Sequence, residues 1–260
     1  VTRLYVLVNQ KGGVGKTTTA INLSAYLAAL DQRVLLVDLD PQANATSSLG
    51  VDKSKVKGGV YEALINEAPV SSFVLHSPRL KLALLPASPA LAGAEVELVG
   101  LLARESQLQR ALAPAEANYD YILIDCPPSL GLLTLNGLVS ARNGVIIPVQ
   151  CEYLALEGLG QLTHTLTRVR QALNPNLVIR GLVMTMFDGR ASLSQQVVAE
   201  VRKHFPGKVF KAIIPRSVRL AEAPSHGLPI SAYAPSSAGG LAYRALAEEL
   251  LKGDTLANAN

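Results

Sequence analysis

The sequence predicts one α/β domain, a twisted, mostly parallel β-sheet covered by helices on both faces. Three observations predict it. Short runs rich in Val, Ile and Leu alternate with longer segments of helical apolar spacing. Several of the short runs are almost continuously apolar, as strands are when both faces of a sheet are covered. No repeat, low-complexity block or long linker interrupts the alternation over 260 residues, so a single layered unit accounts for the chain.

In chain order, a first strand over 4–9 leads through a glycine-rich segment into a helix over 16–30. A second strand, 34–39, is apolar until it ends in acidic residues. The run Leu-Ala-Leu-Leu makes a strand of 82–85, and apolar spacing predicts a long helix over 91–112. Four apolar residues and an acid form the strand 121–125, followed by a helix over 130–141. Strands over 145–149, 178–186 and 212–214 are separated by helices over 156–173 and 193–205. In the last of these, Leu193, Val197, Val201 and Phe205 share a core-facing stripe, which leaves Arg202 and Lys203 toward solvent. A final helix over 241–252 ends the domain, 1–252, and the polar residues 253–260 read as a flexible, fraying tail.

Composition narrows the class of function. Hydrophobic residues make up 49% and charged residues 17% of the chain, enough apolar surface for a sizeable core. The two cysteines, Cys126 and Cys151, form no CxxC pair, which excludes a disulfide framework or a zinc ribbon and fits a reducing cytoplasm. His76, His164, His204 and His226 are too scattered for a metal-ligand spacing. No run reaches the roughly 18 apolar residues of a membrane span, and Lys11 arrives too early for a secretory signal. The expectation is a cytoplasmic protein without stable membrane association.

The net charge of +4 hides an asymmetry. Between Gln161 and Leu220 ten basic residues face only Asp188 and Glu200, giving +8 there and −4 over the remainder. A basic segment in an otherwise acidic chain points to a polyanion, nucleic acid first. A merely solvated helical face is the competing reading.

The chemistry begins at Gln10-Lys11-Gly12-Gly13-Val14-Gly15-Lys16-Thr17-Thr18. Glycines let the backbone curl with its N–H groups turned inward around an anion, and the following helix adds its positive N-terminal end. Lys16 is placed to reach the β- and γ-phosphates, and the Thr17 hydroxyl to bind magnesium. Strand, loop and helix stand in the order this phosphate loop requires, so the fold class is that of a P-loop NTPase. The usual Gly-x-x-x-x-Gly-Lys-Ser/Thr pattern is broken in one place: position 10 is Gln, and a second lysine, Lys11, opens the loop.

Carboxylates follow at two strand ends. In Val37-Asp38-Leu39-Asp40-Pro41-Gln42 the acids lie where such sheets bind ligand. Asp38 supports either a magnesium shell or the loop itself, and an acid before proline is also a common turn former. The run Tyr121-Ile122-Leu123-Ile124-Asp125 is a Walker B strand whose Asp125 should hold magnesium, through water. The loop Cys126-Pro127-Pro128-Ser129 follows it.

The string KGGVGKT is the deviant Walker A form and resembles the family that includes ParA and Soj partition ATPases, MinD and nitrogenase iron protein. The strings VDLDPQ, LIDCPPS, PVQCEYLALEGL, TMFDGR and IIPRSVRLAEAPSHG are similar to the ParA/Soj branch, and this resemblance runs from Asn9 through Leu228. Nitrogenase iron protein needs cluster-bearing cysteines, which Cys126 and Cys151 do not match. MinD ends in a basic amphipathic helix, whereas Glu248 and Glu249 here oppose Arg244 and Lys252. The given sequence starts close to its first strand, so the added N-terminal DNA-reading domain of large plasmid partition proteins is not expected.

The resemblance implies a slow ATPase that uses ATP and Mg2+ and works as a switch in chromosome or plasmid segregation. It implies that Lys11 reaches across an ATP-dependent homodimer to the partner's phosphates, and that Asp40, at the magnesium site, positions the attacking water. The family commonly carries Gly where this chain has Ala43. Non-specific double-stranded DNA binding is implied for Arg190 and Arg219, with Lys203 and Lys208 as additions, and a ParB-like protein would stimulate hydrolysis. Such a protein is expected on the nucleoid. Met186, Pro215 and Arg216 are candidates to flank the adenine, although Arg216 also belongs to the basic segment. A positioning switch that does not bind DNA, and more distantly a metabolic ATP-dependent enzyme, are the competing functions.

Overall fold

In the computed structural model, which describes residues 1–258, Arg3–Leu7 forms the central strand β1, and its alternating side chains divide the core. Leu4 and Val6 enter one apolar cluster while Tyr5 and Leu7 enter another, as the two-residue period of a strand requires. The helix α1 (Lys16–Ala29) follows, then β2 (Val34–Asp38), α2 (Asn44–Ser48) and α3 (Val60–Ile65). Next come β3 (Leu75–Ser77), β4 (Leu82–Leu85), α4 (Leu91–Glu97), α5 (Gln107–Leu112), β5 (Tyr121–Asp125) and α6 (Leu132–Ser140). The chain continues through β6 (Val145–Gln150), α7 (Ala155–Ala172), β7 (Ile179–Phe187), α8 (Ser192–His204) and β8 (Val209–Pro215). It closes with α9 (Val218–Glu222), α10 (Ile230–Tyr233) and α11 (Ala238–Asn258).

The eight strands form one sheet in the order β3-β4-β2-β5-β1-β6-β7-β8. Every neighbouring pair is parallel except β3–β4. On one face α6, α7 and α8 join α3 to α5; on the other, α1 lies over β1, β2 and β5, and α11 packs beside it over β8. Strand order changes direction at β1, and the crevice beyond the strand C-termini there is where such sheets bind ligands.

Three expectations are corrected. The helix over 91–112 is two helices, with a 3-10 turn at Leu98–Gly100 and irregular backbone before α5. Asn136 of α6 explains the break: its side-chain N–H donates to the Arg104 carbonyl and its oxygen accepts the Leu108 N–H. Those bonds satisfy backbone groups that a continuous helix would have paired internally. In α8, Val197 and Val201 are buried as expected, but Leu193 in the first turn is 43% exposed. The core position there is taken by Ser194.

The third correction concerns the fraying tail over 253–260, of which residues 259–260 lie outside the described residues. Helix α11 runs on through Asn258, and Asp254 is buried at the N-terminal end of the sheet. Its carboxylate accepts hydrogen bonds from the Tyr5 hydroxyl (2.7 Å), the Tyr121 hydroxyl (3.0 Å) and the Arg180 guanidinium (3.0 Å). Burial, and then the Asp254 charge, push both phenols far above their ordinary pKa. Removing one partner of such a buried pair leaves the other charge uncompensated. Asp254→Ala should therefore destabilise the protein by about 3–5 kcal/mol, read as a lower midpoint of urea unfolding at unchanged m-value.

Candidate active site

The segment from Gln10 to Gly15 curls between β1 and α1, with Gly13 at φ 74° and Gly15 at φ 86°. Only glycine occupies that left-handed region freely. The curl brings Lys16 inward: its side chain is buried and its Nζ donates to the Lys11 carbonyl at 3.1 Å. Burial lowers the Lys16 pKa, opposed by the nearby Asp125, Cys126 and Asp40. Lys11 itself is exposed, and its ammonium pairs with Glu152 at 2.9 Å. Glu152 also accepts from the Gln150 side chain. The sequence alone does not point to Glu152, which lies 141 positions from Lys11.

Register brings the acids together. Asp38 and Asp125 stand opposite each other at the ends of β2 and β5, and both are buried. Their chemistry then diverges. Asp38 accepts from the Thr46 N–H (2.8 Å), the Thr46 hydroxyl (2.7 Å) and the Asp40 N–H (3.3 Å). Burial still raises its pKa to about 6 against those bonds. This pairing resolves the choice left open for Asp38: it pins α2 to the sheet.

Asp125 has no such partners; both carboxylate oxygens are buried without a hydrogen bond. Burial, followed by the charges of Asp38 and Asp40, drives its pKa well above the carboxylate range, opposed by Thr17 and Lys16. A buried, unsatisfied carboxylate beside a threonine hydroxyl and a lysine is an environment that calls for a cation. Among the described residues, no three His, Cys, Asp or Glu side chains are grouped as a cage for a metal. Magnesium needs none, since it is commonly held by one or two carboxylates together with phosphates and water. Thr17 and Asp125, with Asp40 close to them, are thus the residues that would hold it, and when bound it would neutralise phosphate charge.

Asp40 is buried at the mouth of this site. Its Oδ1 accepts the Gln42 N–H at 2.9 Å, and its carbonyl accepts the Ala43 N–H at 2.8 Å. The second bond closes a turn in which Ala43 has φ 52°. A glycine would adopt that conformation freely, whereas a Cβ there costs roughly 1–2 kcal/mol. A glycine at this position, as the resemblance implies for the family, would carry no such cost.

On the far side of the loop, Met186, Pro215 and Arg216 line a cavity of about 250 Å3 together with Gly15, Thr18 and Leu220. It opens directly beside the phosphate loop. The basic residues separate into two groups. Arg190 follows β7 and Arg219 lies in α9 after β8, at the same end of the sheet as the phosphate loop. Arg190 pairs with Asp188 and Arg219 with Glu222, their side chains being 93% and 60% exposed. Lys203, near the end of α8, and Lys208, just before β8, are exposed at the opposite end. The seven residues of β8 between Lys208 and Arg216 span roughly 20 Å at the strand rise of about 3.3 Å per residue. Arg180 is withdrawn altogether, since Asp254 holds it.

A parallel sheet with this loop, an unsatisfied Walker B carboxylate and a cavity beside the glycines defines a magnesium-dependent P-loop ATPase. A family model described as an AAA domain matches residues 2–179. The chain is 56% identical to the chromosome partitioning protein ParA of Myxococcus xanthus over 97% of this chain and 89% of that protein. It is 53% identical to the sporulation initiation inhibitor protein Soj of Bacillus subtilis, over 95% of this chain and 98% of that protein. Among solved structures, cobyrinic acid a,c-diamide synthase from Mycobacterium smegmatis, with bound ATP analog and magnesium, superimposes with a TM-score of 0.86. That match is at 41% identity and covers 98% of this chain and 96% of that one. The chain belongs to the ParA/Soj family of partitioning ATPases. Among the described residues no helix is long and apolar enough to cross a membrane.

Proposed function

We propose that this chain is an ATP-dependent DNA-segregation switch. ATP closes a homodimer, the dimer binds double-stranded DNA without sequence preference, and a ParB-like partner stimulates the hydrolysis that releases it. Lys16 and the loop N–H groups of residues 12–18 hold the phosphates, and Asp40 positions the attacking water. Lys11 reaches the partner subunit's nucleotide. Met186, Pro215 and Arg216 flank the base. The protein would then reside on the nucleoid, in the cytoplasm. The names ParA and Soj carried by relatives above 50% identity support the segregation role.

The observation that carries the DNA reading is the placement of Arg190 and Arg219. Both are strongly exposed and follow adjacent strands, at the sheet end that holds the phosphate loop. Closing two copies around ATP would bring two such groups onto one assembly. Lys203 and Lys208, about 20 Å away along the sheet, would extend the contact along the duplex. Asp188 and Glu222 neutralise part of the charge in the free protein, but exposed pairs are worth about 0–1 kcal/mol, so phosphates can displace them.

The test is the double variant Arg190→Glu with Arg219→Glu. It should lose DNA binding while sedimenting as an ATP-dependent dimer. Wild-type binding should require ATP and ignore base sequence. If a dimer engages about four phosphates, log K should fall with log salt at a slope of about −3.6. Wild-type protein that dimerises with ATP yet ignores DNA at low salt would favour a positioning switch that works without DNA.

A further inference from the structure

Thr185 is a polar residue near the C-terminal end of the mostly apolar strand β7, and it is buried. A hydroxyl taken from water needs a partner. It finds one outside the sheet: Oγ1 donates to the carbonyl of Val14, in the phosphate loop, at 2.8 Å. The same side chain packs against Gly15, where a Cβ would lie 3.7 Å from the Thr185 methyl.

The strand is distorted where this happens. Met186, the next residue, has φ 52°, and the register between β7 and β8 slips between Met184 and Phe187. A bulge beside an active site re-aims a side chain, and a left-handed methionine stores strain of order 1–3 kcal/mol that the surroundings must hold. The backbone of Thr185 is fixed from the other side, since its carbonyl accepts the Cys151 N–H at 3.1 Å. Thr185 therefore stands on a rigid support and points at the loop.

We infer that Thr185 is a positioning residue for nucleotide binding, acting through the Val14–Gly15 peptide. Across a planar trans peptide the C=O and the following N–H point in opposite directions, and no peptide bond in the described chain is cis. Holding the Val14 carbonyl toward β7 turns the Gly15 N–H away from β7, into the curl of the loop. Of the loop's other side-chain tethers, the Lys11 N–H to the Asn9 side-chain oxygen holds only its start, and that from the Lys16 ammonium to the Lys11 carbonyl must be given up when Lys16 turns to a phosphate. The Thr185 bond involves no group that contacts the anion, so it keeps the N–H aimed throughout the cycle.

The test compares Thr185→Val, which keeps the shape and removes the donor, with Thr185→Ser, which keeps the donor and removes the methyl. Affinity for a fluorescent ATP analogue with magnesium is measured by titration, alongside the unfolding midpoint with and without ATP. Thr185→Val should weaken nucleotide binding about tenfold, the effect of one lost bond and one stranded carbonyl. It should also shrink the ATP-induced rise in midpoint, while Thr185→Ser stays within about twofold of wild type. Should Thr185→Val fail to fold, Thr185→Ala against Thr185→Ser isolates the same hydroxyl. Wild-type affinity in the hydroxyl-free variant, or equal losses with and without the hydroxyl, would overturn the inference and leave Thr185 a packing residue.

Discussion

Asp40→Ala should hold ATP and yet lose partner-stimulated turnover by roughly a hundredfold or more, the usual scale for a group that prepares a nucleophile. The side chain sits at the mouth of the site, one oxygen committed to the Gln42 N–H and its backbone committed to the turn at Ala43. Neither commitment involves the loop that holds phosphate, so truncation leaves nucleotide binding intact. The dimer should then accumulate, because ATP is bound and not consumed. Lys16→Ala is the contrasting control: it removes a buried cation that rests on the Lys11 carbonyl of the phosphate loop and should weaken nucleotide binding itself. Turnover by Asp40→Ala at the normal stimulated rate, measured as released phosphate, would remove Asp40 from the mechanism.

The second large effect is expected at Lys11. Lys11→Ala should bind one nucleotide per monomer and remain monomeric with ATP in sedimentation. The ammonium does not face its own loop. It projects onto Glu152, and the two side chains remain 41% and 46% exposed. Such a pair contributes about 0–1 kcal/mol, so it yields to a phosphate of greater charge brought by a second subunit. The reasoning parallels a trans-acting arginine in other nucleotide hydrolases. A normal ATP-dependent dimer of the variant would refute action across the interface.

Much of this was legible in the sequence. Strands of nearly continuous Val, Ile and Leu, alternating with helical segments, fit a sheet covered on both sides, and a glycine loop ending in Lys16-Thr17 needs both a strand before it and a helix after it. What escaped depended on partners distant in sequence. The apolar spacing of 91–112 continues through the break, and Asn136, which helps to interrupt it, lies on another helix. Asp254 sits among polar residues and resembles a solvated acid until Tyr5, Tyr121 and Arg180 are brought around it. The edge strand β3 is three residues long and largely exposed, too short for any periodicity. Thr185 did leave a trace, since a lone hydroxyl within LVMTMF must bond to something, but the sequence cannot say that the acceptor is Val14.

The knot around Asp254 bears on how the molecule is made. Tyr5 and Asp254 are 249 positions apart, and Tyr243, on the same helix, meets Thr19 of α1 at 3.0 Å. Contacts of such sequence separation form late and slow folding. While the chain is being synthesised, the face of α1 and β1 that α11 will cover stays open to water, with Tyr5, Tyr26 and Leu27 among its side chains. A nascent chain in that condition presents apolar surface that other molecules can capture. The strand β1 is therefore sealed only once Asp254, 249 positions after Tyr5, has been made, and its face needs protection until then.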